Sequence, residues 1–310
     1  MNNDSYILTG KTLKKENEKG MYTNPLLEGA DPFILAFNGK YYLYSTNSDD
    51  GYHVFMSDNL ADWEDKGFCL RKEDVMGDKW VWAPEIIYHN NKFYMVYSSE
   101  EHLGIAVSDS PLGPFVQKDK KWLIDHMAID GHFFKDDDDQ VYLYYVKLDG
   151  TNQIYVSKMN DDLLSIKEET ETFLIKAEEK WETIDCLVTE GPFVLKYNGK
   201  YYLTYSANHT RSEDYAIGYA ISESPMGPFT KYENNPILHK NEEVNGTGHH
   251  SFFHTLVENN LVCVYHSHFS KTQFQPRLIC IDKAGFEKSD NGDDILVVYG
   301  PTHSPQKHLK

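Results

Sequence analysis

The sequence predicts an all-β fold, a five-bladed β-propeller in a single domain, and three observations predict it. A hairpin phrase recurs five times, as NGKYYLYS from Asn38, NNKFYMVYS from Asn90, DDQVYLYY from Asp138, NGKYYLTYS from Asn198 and NNLVCVYHS from Asn259. The copies begin 52, 48, 60 and 61 residues apart, and multi-strand units repeating about every 50 residues are propeller blades. The apolar pattern alternates with period two rather than the 3.6 of a helical solenoid, and 22 Tyr and 16 Phe among 310 residues favour strands.

Each unit follows one grammar. An apolar and aromatic strand comes first: ADPFILAF, APEIIYH, IDGHFFK, TEGPFVLK and GHHSFFH. A polar turn rich in Asn, Gly or Asp follows, which is hairpin chemistry, and the Tyr-rich phrase returns. A third strand comes next, as GYHVFMSD, GIAVSDS, QIYVSKM, AIGYAIS and PRLICID. Two third strands end in the near-identical loops SPLGPF (Ser110 to Phe115) and SPMGPF (Ser224 to Phe229), which are expected to lead to a fourth, outer strand. Residues 1–20 read as an N-terminal extension and 21–310 as the propeller. Either the first twenty residues or the tail PTHSPQKHLK could supply a strand that closes the ring.

The formal net charge of −18 disfavours nucleic acid and anionic membrane surfaces, which need clustered Lys and Arg, and leaves a neutral partner such as a sugar unpenalised. Cys69, Cys186, Cys263 and Cys280 form no C-x-x-C pair and read as reduced thiols; nothing demands a bridge between Cys263 and Cys280. The run Asp136 to Asp139 lacks the ligand spacing of a calcium loop and reads as a solvated turn. No apolar leader core or stretch of 18 apolar residues is present, so a cytoplasmic protein is expected. A homo-oligomer is left open.

Asp31, Glu85, Asp130, Glu190 and His249 each stand at the head of a first strand. In a propeller these strands surround the axis, so residues far apart in sequence converge. Carboxylates gathered at the edge of buried strands cannot all ionise freely, and their pKa values separate as acid–base catalysis requires.

The phrases ADPF, VWAPEI, IDGHFF, TEGPFV and GTGHHSF, in this order from about Asn24 to Arg277, resemble glycoside hydrolase family 43. The resemblance implies a five-bladed propeller that hydrolyses terminal α-L-arabinofuranosyl or β-D-xylosyl units of plant-cell-wall-type oligosaccharides with inversion. It makes Asp31 the general base, Glu190 the general acid and Asp130 the group that raises the pKa of Glu190. An inverting pair stands about 6.5–9.5 Å apart to admit a water, against about 5–5.5 Å in a retaining site. Trp82 is expected to line the sugar site and Arg277 to reach the sugar or an acid. Phe33, two residues beyond Asp31, should share its face as a floor for the sugar. Of the adjacent pair His249 and His250, only one can face the axis. The resemblance selects His249, beside a structural calcium held through waters; the chemistry itself requires no cofactor. Glu85 is expected to hydrogen-bond structurally. Gly131, where many relatives have Pro, and the turn DDDDQ depart from the family pattern and cloud the choice of sugar. Two alternatives stand: a retaining propeller fructosidase, whose N-D-P-N and R-D-P phrases are absent here, and a non-catalytic sugar-binding propeller.

Overall fold

Residues that tolerate a left-handed backbone make the hairpins. Asn38, Asn90, Asn91 and Asn198 lie at φ of 47, 47, 60 and 48°, and Gly39 and Gly199 follow at 77 and 78°. In the computed structural model of the chain, residues 13 and 19–309 are described, and most of the expected extension 1–20 lies outside them. Among the described residues the first strands are β1 (Met21–Tyr22) and β2 (Leu27–Glu28). Blade 1 then comprises β3 (Ala30–Phe37), β4 (Lys40–Thr46), β5 (Gly51–Ser57) and β6 (Glu64–Arg71). Blade 2 has β7 (Trp82–His89), β8 (Lys92–Ser99) and β9 (His102–Ser108). Blade 3 has β10 (Ala128–Lys135), β11 (Val141–Asp149), β12 (Thr151–Lys158) and β13 (Thr172–Lys176). Blade 4 has β14 (Thr189–Tyr197), β15 (Lys200–Ala207), β16 (Ala216–Ser222) and β17 (Thr230–Lys231). Blade 5 has β18 (Gly248–His254), β19 (Leu261–Ser267) and the long β20 (Leu278–Lys288).

The ring closes with help from both ends of the chain. Strand β2 adds to β20 as the outer strand of blade 5, through Leu27 opposite Ile279. Strand β21 (Asp294–Val298) pairs with the far half of β20, and β22 (Gln306–Lys307) in the tail pairs with β1. The outer strands expected after the two near-identical loops are short. SPMGPF leads to two-residue β17, and SPLGPF leads only to a Val107–Val116 bridge. Each loop is held by a buried tyrosine of the preceding blade, Tyr44 donating to the Pro111 carbonyl at 2.6 Å and Tyr144 to that of Pro225 at 2.5 Å.

The core is five apolar clusters, one between each pair of neighbouring blades, such as Ile34, Leu43, Phe253 and Val264 between blades 1 and 5. The repeated Tyr and Phe residues fill these seams; Tyr44, Tyr97, Tyr145, Tyr205 and Tyr265, one from each return strand, are fully buried. All four cysteines are free thiols. Among the described residues no helix is long and apolar enough to cross a membrane.

Candidate active site

Every inner strand bulges at its head. Register against the return strand slips between Ala30 and Phe33, Trp82 and Glu85, Ile129 and His132, Glu190 and Phe193, and Gly248 and His250. One residue in each bulge adopts a left-handed backbone: Asp31 (φ 51°), Ala83 (46°), Asp130 (56°), Gly191 (56°) and His249 (40°). For the four that carry a Cβ this costs on the order of 1–3 kcal/mol each.

A repeated hydrogen bond compensates. The backbone N–H of each bulge residue donates to a side chain of the preceding blade. Asp31 donates to His266 Nδ1 (3.2 Å), Ala83 to Thr46 Oγ1 (2.9 Å), Asp130 to Ser98 Oγ (3.0 Å), Gly191 to Asp130 Oδ2 (3.1 Å) and His249 to Ser206 Oγ (2.8 Å). This register corrects the expected equivalence of the five strand heads. The equivalent positions are Asp31, Ala83, Asp130, Gly191 and His249; Glu190 precedes its bulge residue by one place and Glu85 follows by two. All five bulge residues line one axial cavity of about 20 Å³, room for about one water. Phe33 and Glu85 line it too, whereas Glu190 stands at the strand head outside that lining.

The three acids meet different surroundings. Asp31 Oδ1 accepts from Arg277 Nη1 at 2.8 Å and Oδ2 from Thr46 Oγ1 at 2.7 Å. Burial opposes its ionisation, but the charge of the Arg277 guanidinium, with the neighbouring imidazoles of His249 and His266 adding to it, outweighs burial and holds the carboxyl well below the usual range. Glu190 accepts from Tyr215 Oη at 2.8 Å and from Asn152 Nδ2 at 3.2 Å. Burial, aided by the Asp31 charge, still pushes it up to about 7 against those donors. Asp130 is pushed well above the usual range by burial, then by Glu190 and Asp31, while the Gly191 N–H pulls it down. Asp130 and Glu190 thus resist ionising together.

Other expected residues fall into place around these. Glu85 accepts from His132 Nδ1 at 2.6 Å, and His132 Nε2 accepts the Val194 N–H at 3.0 Å, so Glu85 anchors a brace spanning blades 2, 3 and 4. His249 Nδ1 lies 3.4 Å from Asp31 Oδ1 and 3.8 Å from Asp130 Oδ2. His250 also lines the axial cavity, against the expectation that only one of the pair would, and its Nε2 meets Thr204 Oγ1 at 2.7 Å. Arg277 is buried against Asp31. Trp82 stacks on the exposed Trp80 with ring centroids 6.0 Å apart and planes 12° apart. Phe33 packs against the seam between blades 1 and 2 and against that between blades 4 and 5, as well as facing the cavity.

Among the described residues no three or more His, Cys, Asp and Glu side chains form a ligand cluster. The donors beside His249 are the two carboxylates that the acid chemistry needs. The direct donor set therefore does not fit a calcium cage, which takes six to eight oxygens.

Five participants escape a reading of the strand heads: Thr46, His266, Tyr215, Asn152 and Trp80. Thr46 and His266 occupy the ends of return strands opposite the heads, where Ser98 and Ser206 also stand, and that recurrence is visible in KYYLYST, KFYMVYSS, KYYLTYSA and LVCVYHS. His266 is kept neutral by burial, down to about 3 despite Asp31.

Comparison with known proteins agrees with this architecture. The family model described as glycosyl hydrolases family 43 matches residues 22–290. The xylosidase/arabinosidase 43A of Humicola insolens is 31% identical over 259 residues, 65% of this chain and 78% of that protein. A crystal structure of an endo-1,4-beta-xylanase from Bacteroides thetaiotaomicron VPI-5482 superposes with a TM-score of 0.84 at 40% identity, covering 91% of this chain and 97% of that one. A thermostable family-43 glycoside hydrolase superposes with a TM-score of 0.85 at 42% identity, covering 93% and 99%.

Proposed function

The chain belongs to glycosyl hydrolases family 43 and is a glycoside hydrolase, and from that premise we propose that it removes terminal α-L-arabinofuranosyl or β-D-xylosyl residues from plant-cell-wall-type oligosaccharides with inversion. One observation carries the mechanism: two carboxyls in one site, Asp31 buried and Glu190 half-buried, are driven in opposite directions, Asp31 low and Glu190 up to about 7. Near neutral pH the first is a base and the second an acid.

In the proposed reaction Asp31 takes a proton from a water as its oxygen attacks the anomeric carbon. The glycosidic C–O bond breaks on the opposite face, and the leaving oxygen takes the proton of Glu190. Asp31 then returns its proton to solvent and Glu190 regains one. Arg277 holds Asp31 anionic and oriented, and Asp130 opposes ionisation of Glu190 while fixing the backbone beside it. Trp82 and Trp80 offer a flat apolar face to a sugar ring. No step runs through a metal ion.

Nitrophenyl arabinofuranoside and xyloside, with xylo- and arabino-oligosaccharides, test the substrate. Proton NMR of the first anomer released tests the stereochemistry, and retention would overturn the inverting assignment. Asp31→Ala and Glu190→Ala should each lower kcat/KM by about 10²–10⁴-fold with the thermal transition retained. Near-parental turnover in either variant would remove that residue from its role.

A further inference from the structure

Blade 2 has three strands where each other blade has a fourth. The outer edge of its third strand, β9, is met at two places. Val107 exchanges backbone bonds of 2.9 and 3.1 Å with Val116, and the Leu103 carbonyl accepts the Leu123 N–H at 2.7 Å. Residues 103, 105 and 107 alternate along the strand, so Ile105 also points its N–H and C=O outward. Among the described residues no backbone group meets Ile105 on that edge. Above it lies a groove of about 850 Å³ between blades 2 and 3, within the size of ligand sites (about 300–1,000 Å³).

The lining says what would fit. Lys92, Lys118 and Lys121 are matched by Asp109, Asp119 and Asp162, so the groove is locally neutral on a chain of net charge −18. That disfavours an anionic or cationic ligand. Trp122 forms part of the wall, stacked on His102 at 5.1 Å, and exposed Leu164 forms a lip. An outward N–H and C=O on one residue suit a hydroxyl, which both accepts and donates. A peptide strand is a poorer match, because between the Leu103 and Val107 pairings only Ile105 turns its backbone groups outward.

We propose that this groove is a second carbohydrate site, binding a neutral oligosaccharide of the class hydrolysed at Asp31 and Glu190 but separated from them by the width of blade 2. The choice of sugar rests on the function proposed above. Such a site would hold a longer chain to the enzyme while its ends are trimmed.

The test is calorimetric titration of full-length Glu190→Gln protein, which should bind without hydrolysing, with xylohexaose and with an arabino-oligosaccharide. Two sites are expected. Adding Trp122→Ala, or Leu164→Arg at the exposed lip, should weaken one of them by about tenfold or abolish it while the other stays. The melting temperature of each variant controls for folding, and Leu164→Arg keeps the test decisive if Trp122→Ala does not fold. A single site untouched by both substitutions overturns the proposal. So does dimerisation through the groove on sedimentation with no second sugar site. Turnover by the parent chain separates the two readings: an active parent with one binding site loses only the groove, whereas a parent inactive on every glycoside loses the proposed function itself.

Discussion

Tyr215 governs how tightly Glu190 holds its proton. Its hydroxyl donates to Glu190 Oε1 at 2.8 Å, a bond that favours the carboxylate and works against the burial that raises the group to about 7. The ring is fixed independently of the hydroxyl: it stacks on His266 at 5.6 Å, and it lies so close to Gly248 that a Cβ there would fall 2.2 Å from a ring carbon. Tyr215→Phe therefore removes the donor and leaves the packing. With activity requiring protonated Glu190, the rate of the parent should fall as pH rises through about 7. In Tyr215→Phe the alkaline limb should move up by about one to two pH units, since a hydrogen bond to a charged group is worth about 1.5–3 kcal/mol. A profile of kcat/KM against pH reads this directly; a limb that stays put or moves down would show that Tyr215 does not tune the acid. Asp31 sets the other limb, and its contact with Arg277 keeps that limb well to the acid side.

At the scale of the element, the bulge is what turns a repeated strand into a site. It swings Asp31, Asp130 and His249 onto the axis, and its left-handed residue persists because a neighbouring blade takes its N–H. Ser98 is fully buried and accepts the Asp130 N–H at 3.0 Å. Ser98→Ala leaves that donor without its acceptor, which should cost about 1–3 kcal/mol. The urea midpoint should fall with an unchanged slope, and catalysis should weaken with it because Asp130 loses its anchor. An unchanged midpoint would mean that the strain at Asp130 is carried elsewhere. The same element explains how far the sequence could be read. Blades, hairpins and the axial placement of Asp31, Asp130 and His249 are legible because each hairpin phrase recurs and each of those residues heads a strand. The offsets of Glu190 and Glu85 are not, because a bulge shifts register by one residue without disturbing the apolar pattern after it. Hydroxyl partners at the ends of the return strands are legible once strand ends are compared. Tyr215 and Asn152 are not, since they reach Glu190 from places that no repeat marks.

The whole molecule is a ring whose two ends fasten on one strand. Asn24 Nδ2 donates to the Ile281 carbonyl at 2.7 Å and Asn24 Oδ1 accepts the Ile281 N–H at 3.0 Å, while the Thr302 N–H and Tyr265 Oη donate to Asp282 Oδ2 at 3.1 and 2.7 Å. Buried ionisable groups in this ring make its stability depend on pH from both sides. Burial lowers His249, His250, His266 and His268, so the folded chain refuses protons that the unfolded chain accepts near pH 6.5. Their contribution is complete above about pH 6.5 and is lost as pH falls below it. Burial raises Asp282 from 3.8 to about 6 and Glu190 from 4.5 to about 7, and raises Asp130 as well. Their contribution is complete at low pH and is lost as pH rises through those values. Asp31, held low, gives stability that persists above about pH 4 and is lost only in stronger acid. The opposing sets cross near pH 6, where the melting temperature should peak, with falls toward pH 4.5 and pH 8. Glu190→Gln, which cannot ionise, should flatten the fall between pH 6 and about 7.5. If that variant falls as steeply as the parent and 0.5 M salt removes the slope from both, repulsion within a chain of net charge −18, and not its buried acids, governs alkaline stability.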